Sequence, residues 1–233
     1  MAAKETLRAY ALGCFAWLAL ALSTPAAAGG GAHVVDDDAV LDPGVCHIEN
    51  WLTRFGSGAD LVTAAPACTL QAVPRLELAA AVQHGWDRDM ATSITPSAKL
   101  NLRSAGDAPV GVAVSAAAIW NAGTGRVEEV QITVPVSARA TPRLILHANA
   151  GWVIVPGSAD RHALFWGGQA EYALTPHLVL MGEVFGRDRG PVGAQTGLRL
   201  TMDRGRIDLD LLGGHATDGT RASAVTLGLT IRR

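Results

Sequence analysis

Ser137, His147 and Glu183 supply a hydroxyl, an imidazole and a carboxylate, the three side-chain types that a nucleophilic hydrolase combines. Ser137 and His147 flank the turn at Ala140-Thr-Pro-Arg143, and neighbouring strands would set them opposite one another. Glu183 falls two strands further on, with no evident link to His147. A polar pair inside a protein wall explains the same two residues, so hydrolysis ranks last of three readings and the chain is not read as an enzyme. The larger set is ionic. Glu77, Glu129, Glu171, Glu183, Asp208 and Asp210 share one strand face with Lys99, Arg103, Arg139, Arg187 and Arg199. Arg199 lies one strand from Asp208 and Asp210, and Glu183 one strand from Arg199. An unpaired charge inside a wall is costly, so near-balance predicts cross-strand ion pairs. With His147, these residues are the expected lining of a lumen.

The remaining reactive types are few. Cys46 and Cys68 are the cysteines left once an N-terminal leader carrying Cys14 is removed, and an even count in an exported chain predicts one disulfide. Their midpoint is Ser57, inside Gly56-Ser-Gly58, so a hairpin about that turn sets them face to face. His47 and Glu49 stand nearby, but no spacing resembles a zinc module, and no metal or other cofactor is expected. Gly123-Thr-Gly125 belongs to a turn and implies no phosphate loop. Asp36-Asp37-Asp38 reads as a solvated charge run rather than a calcium site.

These side chains need elements of period two. Val130, Ile132, Val134, Val136 and Ala138 alternate with Gln131, Thr133, Pro135, Ser137 and Arg139. After the turn, Leu144, Leu146, Ala148, Ala150, Trp152 and Ile154 resume the apolar face, with His147, Asn149 and Gly151 on the other. This is an antiparallel hairpin, with strands long enough to cross a bilayer when tilted. The same unit recurs over 75–85, 92–103, 110–121, 127–140, 144–155, 163–174, 178–187, 191–202, 206–216 and 221–232. The cysteine hairpin, 45–55 and 60–70, raises ten strands to twelve. The expected fold is all-β: an antiparallel up-and-down transmembrane β-barrel of about 12 strands, with 10 as the alternative. Short Pro-rich turns belong to the periplasmic rim and longer Gly/Asp-rich ones to the outer rim.

The rest of the chain bounds the class. Lys4 and Arg8, an apolar stretch from Ala9 to Leu22, and Pro25-Ala-Ala-Ala28 predict a signal peptide over residues 1–28. Residues 29–44 have no period and read as a periplasmic lead-in, which leaves 45–233 for the barrel. A net charge of −2 and a pI near 6.4 give nucleic acid no basic face.

Period two cannot say which face points inward; a soluble lipocalin-like barrel would hide the leucines, and an outer-membrane barrel exposes them to lipid. Lysine occurs only at Lys4 and Lys99, whereas soluble sheets use it freely on their surfaces. Trp86, Trp120, Trp166 and Phe185 fall toward one rim, as an interfacial girdle would. Both features favour lipid. The C-terminus, Leu229-Thr-Ile-Arg-Arg233, lacks the aromatic residue on which such chains often end.

Four stretches carry a resemblance. They are Asp37-Asp-Ala39 with Pro43-Gly-Val-Cys-His-Ile-Glu-Asn-Trp51 and Pro66-Ala-Cys68; Val134-Pro-Val-Ser137; Leu144-Ile-Leu-His-Ala-Asn-Ala-Gly-Trp152; and Leu180-Met-Gly-Glu-Val-Phe-Gly186. Over roughly 36–232, the chain resembles bacterial outer-membrane barrels of the phenol meta-degradation pathway transporter type. That resemblance implies a porin-like fold and passage of small organic molecules. The expectation is therefore a barrel in the outer membrane of a Gram-negative bacterium, inserted by the barrel-assembly machinery, with membrane lipid and small organic solutes as partners. Porin-like passage through a narrow charge-lined lumen ranks first, and a structural barrel with a plugged, salt-bridged interior second.

Overall fold

The computed structural model describes residues 32–86, 92–159, 161–217 and 222–233. The expected leader and residues 87–91 of one long turn lie outside these. Twelve strands follow in order: β1 Cys46–Phe55, β2 Asp60–Thr69, β3 Leu76–Trp86, β4 Thr92–Arg103, β5 Val110–Asn121, β6 Arg126–Thr141, β7 Leu144–Ile154, β8 His162–Thr175, β9 Leu178–Arg187, β10 Gly193–Met202, β11 Ile207–His215 and β12 Ser223–Arg232. Each pairs antiparallel with its sequence neighbours, and β1 closes on β12 from His47↔Arg232 to Phe55↔Ala224. The ten-strand alternative falls, because β1 and β2 are part of the closed wall. A closed wall leaves no unpaired edge, which is what a sheet needs where water cannot satisfy its backbone.

Local chemistry sets the turns at the rim where β1 begins and β12 ends. Pro142-Arg143 and Pro176-His177 are two-residue connections that each follow a threonine. Thr141 Oγ1 accepts the N–H groups of Arg143 and Leu144 at 3.2 and 3.0 Å, and Thr175 Oγ1 accepts that of His177 at 3.2 Å. Proline fixes φ while the hydroxyl takes the N–H groups that the turn would strand.

The apolar face points outward. Leu100, Leu164, Leu180, Leu198, Leu209, Leu211, Leu227 and Leu229 are exposed, while their strand neighbours Lys99, Arg199, Asp208, Asp210, Thr226 and Thr230 are buried. An exposed apolar belt over a polar interior is the pattern of a transmembrane barrel, and the lipocalin arrangement is excluded. Trp86, Trp120 and Trp166 lie on this belt. Phe185 does not: it shares the parity of Glu183 and is 6% exposed inside the barrel, so the expected girdle loses one member.

The lead-in is also placed differently from expectation. Asp42-Pro43-Gly44-Val45 is a tight turn, with Val45 N–H donating to the Asp42 carbonyl at 2.9 Å and Gly44 at φ +85°. Proline followed by a residue at positive φ makes a type II turn, the position where glycine carries no steric cost. That turn sends residues 32–41 back into the lumen rather than out from the rim. Sequence periodicity could not show this, because the segment has no alternating face and much of its contact is made through backbone N–H and C=O groups.

Candidate functional site

Among the described residues, seven strands contribute hydrogen bonds to the internal segment. Gln195 on β10 donates to the Ala32 carbonyl at 2.9 Å, and Glu183 on β9 accepts the N–H groups of Val34 and Val35, one on each oxygen, both at 3.0 Å. On β8, Gln169 meets His33 at 3.0 Å. Asn149 on β7 accepts the Asp36 N–H at 2.8 Å and donates to the Asp36 carbonyl at 2.7 Å. Ser137 on β6 accepts the Asp38 N–H at 2.9 Å, Asn101 on β4 donates to the Asp38 carbonyl, and Glu77 on β3 accepts the Leu41 N–H at 2.9 Å. Inward polar side chains thus do for this segment what a neighbouring strand would otherwise do.

Asp37 and Asp38 are buried and Asp36 is half-buried, so the aspartate run is not a solvated one. Lys99 lies 2.9 Å from Asp36 and 3.3 Å from Asp37, while Asp38 accepts the Ala105 N–H at 3.0 Å. Val35 is 1% exposed and packs with Val153, Phe165 and Phe185 in a small apolar core within the lumen. Two glycines make the room. A Cβ on Gly167 would lie 2.7 Å from Val35 Cγ2, and one on Gly111 would overlap the Asp38 carboxylate.

The expected ionic lining divides into a deep set and a rim set. Arg199 meets Asp210 through two hydrogen bonds at 2.8 and 3.0 Å, both residues buried. Arg232 lies 2.7 Å from Asp208, which also accepts from Thr201 at 2.7 Å. Lys99, His147 and Glu183 are buried on the inner face, and Glu171 is half-buried on the same face of β8. Arg187 and Glu129 are 2.6 Å apart across the far mouth, on strands separated by β7 and β8. Arg103 and Arg139 are exposed at the opposite rim, so they border the lumen without lining its depth. The consequence is an acidic interior. Among the described residues, Asp37, Asp38, Glu49, Glu77, Glu183, Asp208 and Asp210 are buried carboxylates, against Lys99 and Arg199 as buried cations. Balance predicted from parity fails because parity carries no depth, and the segment adds aspartates that no strand pattern could reveal.

Ser137 and His147 are paired in register, with Ser137 Oγ 2.9 Å from His147 Nδ1. The Ser137 oxygen also takes the Asp38 N–H, and Glu183 spends its oxygens on Val34 and Val35 rather than on His147. In this arrangement the pair is a strut that holds the segment. Cys46 and Cys68 face each other in register and form the expected disulfide.

The interior is lopsided. From β7 to β9, Val153, Phe165 and Phe185 pack against Val35. From β2 to β5, the inward positions include Ala65, Ala67, Ala79, Ala81, Ser97, Ser115 and Ala117, and a cavity of about 300 Å³ lies between them and the segment.

Solved structures share this architecture. The KdgM porin matches with a TM-score of 0.64 at 8% identity, over 79% of this chain and 98% of that one. The KdgM porin in complex with disordered oligogalacturonate matches at 0.62 and 9%, over 79% and 98%. The NanC porin matches at 0.60 and 10%, over 80% and 98%. At these identities the likeness is one of fold. A comparison with curated protein sequences finds no match. One family model spans nearly the whole chain, residues 17–233, and the protein belongs to that family, described as "Uncharacterised conserved protein UCP029691".

Proposed function

We propose that the chain is a porin-like barrel of the Gram-negative outer membrane that passes small solutes through a lumen narrowed by its own N-terminal segment. Residues 1–28 direct export, the barrel-assembly machinery inserts the product, and the leucine belt meets lipid. The observation that carries the reading is the cavity of about 300 Å³ left along β2–β5 beside the segment. A twelve-strand wall encloses more than side chains alone fill, yet far less than a sixteen-strand porin. Small organic molecules, the class implied by the phenol-pathway resemblance, fit that scale. KdgM's oligogalacturonate is a polyanion, and such a solute would meet buried carboxylates here. Neutral or cationic solutes suit this lumen better.

Liposome swelling tests the proposal. Glycerol-sized solutes should enter protein-containing vesicles while disaccharides are excluded. Swelling no faster than in protein-free vesicles, for every solute, overturns passage. It would favour the second reading, a structural barrel closed by its segment, which is supported by the bonds from Glu183, Asn149, Ser137 and Glu77.

A further inference from the structure

The two rims of the barrel balance their charges differently. At the far rim Arg54 pairs with Asp60, Arg187 with Glu129 and Arg189 with Asp188. At the rim of the short turns, Arg75, Arg103, Arg139 and Arg143 are exposed along the arc from β3 to β7, and Asp107 in the β4–β5 turn is the acid among them. Among the described residues, no carboxylate stands within 4.0 Å of these four arginines; the ion pairs of Arg206 with Asp203 and of Arg232 with Asp208 belong to β10–β12. The strand pairing brings two of the four together. Leu76 pairs with Leu100, so the ends of β3 and β4 are neighbours, and the Arg75 guanidinium donates to the Leu102 carbonyl at 3.2 Å. The register shifts between Asn101 and Arg103, which sets Arg103 opposite Val112, one residue from the inward-facing Ala113. Residues directly opposite share a face, so Arg103 ends β4 on the outward side, the re-aiming that a bulge performs.

The apolar belt runs up to this same edge without a gap. Leu102 is 49% exposed and lies directly before Arg103, and Val73, 43% exposed, lies two residues before Arg75. Guanidinium groups at the last ring of a hydrocarbon-facing belt stand at the depth of the headgroup phosphates, whose oxygens match their forked donors. A zwitterionic headgroup also brings a cation, which an arc of unopposed arginines repels; an anionic one does not. We propose that Arg75 and Arg103 form a binding site for the phosphate of an anionic phospholipid, with Leu102 and Val73 against its acyl chains. Arg139 and Arg143 extend the positive field along the arc. The inference goes beyond solute passage: it rests on the barrel lying in a bilayer and not on any flow through the lumen.

The test is native mass spectrometry of the refolded full-length mature protein, released from detergent micelles that contain equimolar phosphatidylglycerol and phosphatidylethanolamine. Phosphatidylglycerol should be retained about tenfold over phosphatidylethanolamine. The double variant Arg75→Gln, Arg103→Gln should lose that preference, whereas Arg54→Gln at the far rim should keep it; gel mobility of unboiled samples verifies that both variants are folded. Excess inorganic phosphate should leave the retained lipid in place. Equal retention of the two lipids by the folded parent, an undiminished preference in the double variant, or an equal loss in Arg54→Gln would each overturn the assignment. Displacement of the lipid by inorganic phosphate would overturn it in favour of a site for free anions. If phosphatidylglycerol is retained while liposomes fail to swell, the lipid site stands and the passage reading falls.

Discussion

Asn149 and Asp36 exchange two hydrogen bonds, side-chain oxygen to backbone N–H at 2.8 Å and side-chain amide to backbone carbonyl at 2.7 Å. A single inward asparagine on β7 thereby satisfies both backbone polar groups of one residue in the internal segment. Ser137, Glu77 and Glu183 repeat the principle around the wall, so the segment is held through its backbone as much as through its charges.

Glu183 should be the strongest of these holds, since one carboxylate takes two N–H groups. Hydrogen bonds to a charged acceptor contribute about 1.5–3 kcal/mol each. In a Val35→Cys background, where the introduced thiol is buried, Glu183→Gln should raise the rate of thiol labelling about tenfold or more. Unchanged labelling would show that Glu183 does not anchor the segment.

Gly167 should be intolerant of a side chain only while the segment is present. A Cβ there would lie 2.7 Å from Val35 Cγ2, and overpacking costs about 1–3 kcal/mol. Gly167→Ala should lower the urea midpoint in the full chain and leave it unchanged in a chain lacking residues 32–42. Equal loss in both backgrounds would locate the strain in the wall itself.

Arg199 and Asp210 form a buried pair with two direct bonds. Removing one partner strands the other, at a cost of about 3–5 kcal/mol. Arg199→Ala should therefore unfold at markedly lower urea than the double variant Arg199→Met, Asp210→Leu. If the single variant is the more stable, the pair is not a structural element.

The disulfide closes a loop with a sequence separation of 22, for which chain entropy gives roughly 3 kcal/mol. The mature protein should show no free thiol under denaturing, non-reducing conditions, and Cys46→Ser with Cys68→Ser should unfold earlier. Full thiol reactivity would contradict the bond.

Legibility in the sequence followed the physical signal available. Strands were readable because an outward leucine and an inward polar residue alternate strictly, as at Leu198, Arg199 and Leu200, and observed boundaries differ from the expected ones by two residues or fewer. The Cys46–Cys68 pairing was readable from symmetry about Ser57. Residues 32–41 were not readable, because many of their contacts are made by backbone N–H and C=O groups, which every residue carries and no side-chain pattern encodes. Signals did exist in hindsight: Gly111 and Gly167 interrupt inward faces where packing would otherwise favour a side chain, and Asp36-Asp37-Asp38 had a lone inward lysine, Lys99, to meet. Arg103 and Arg139 are exposed at the rim rather than deep in the lumen, since parity reports a face whereas depth depends on where the strand ends.

Single-barrel conductance in planar bilayers tests directly whether the N-terminal segment narrows the lumen. The full mature chain should show small or rare steps, and a chain lacking residues 32–42 should open to severalfold larger ones while keeping its folded gel mobility. Equal conductance in the two folded proteins would contradict the claim.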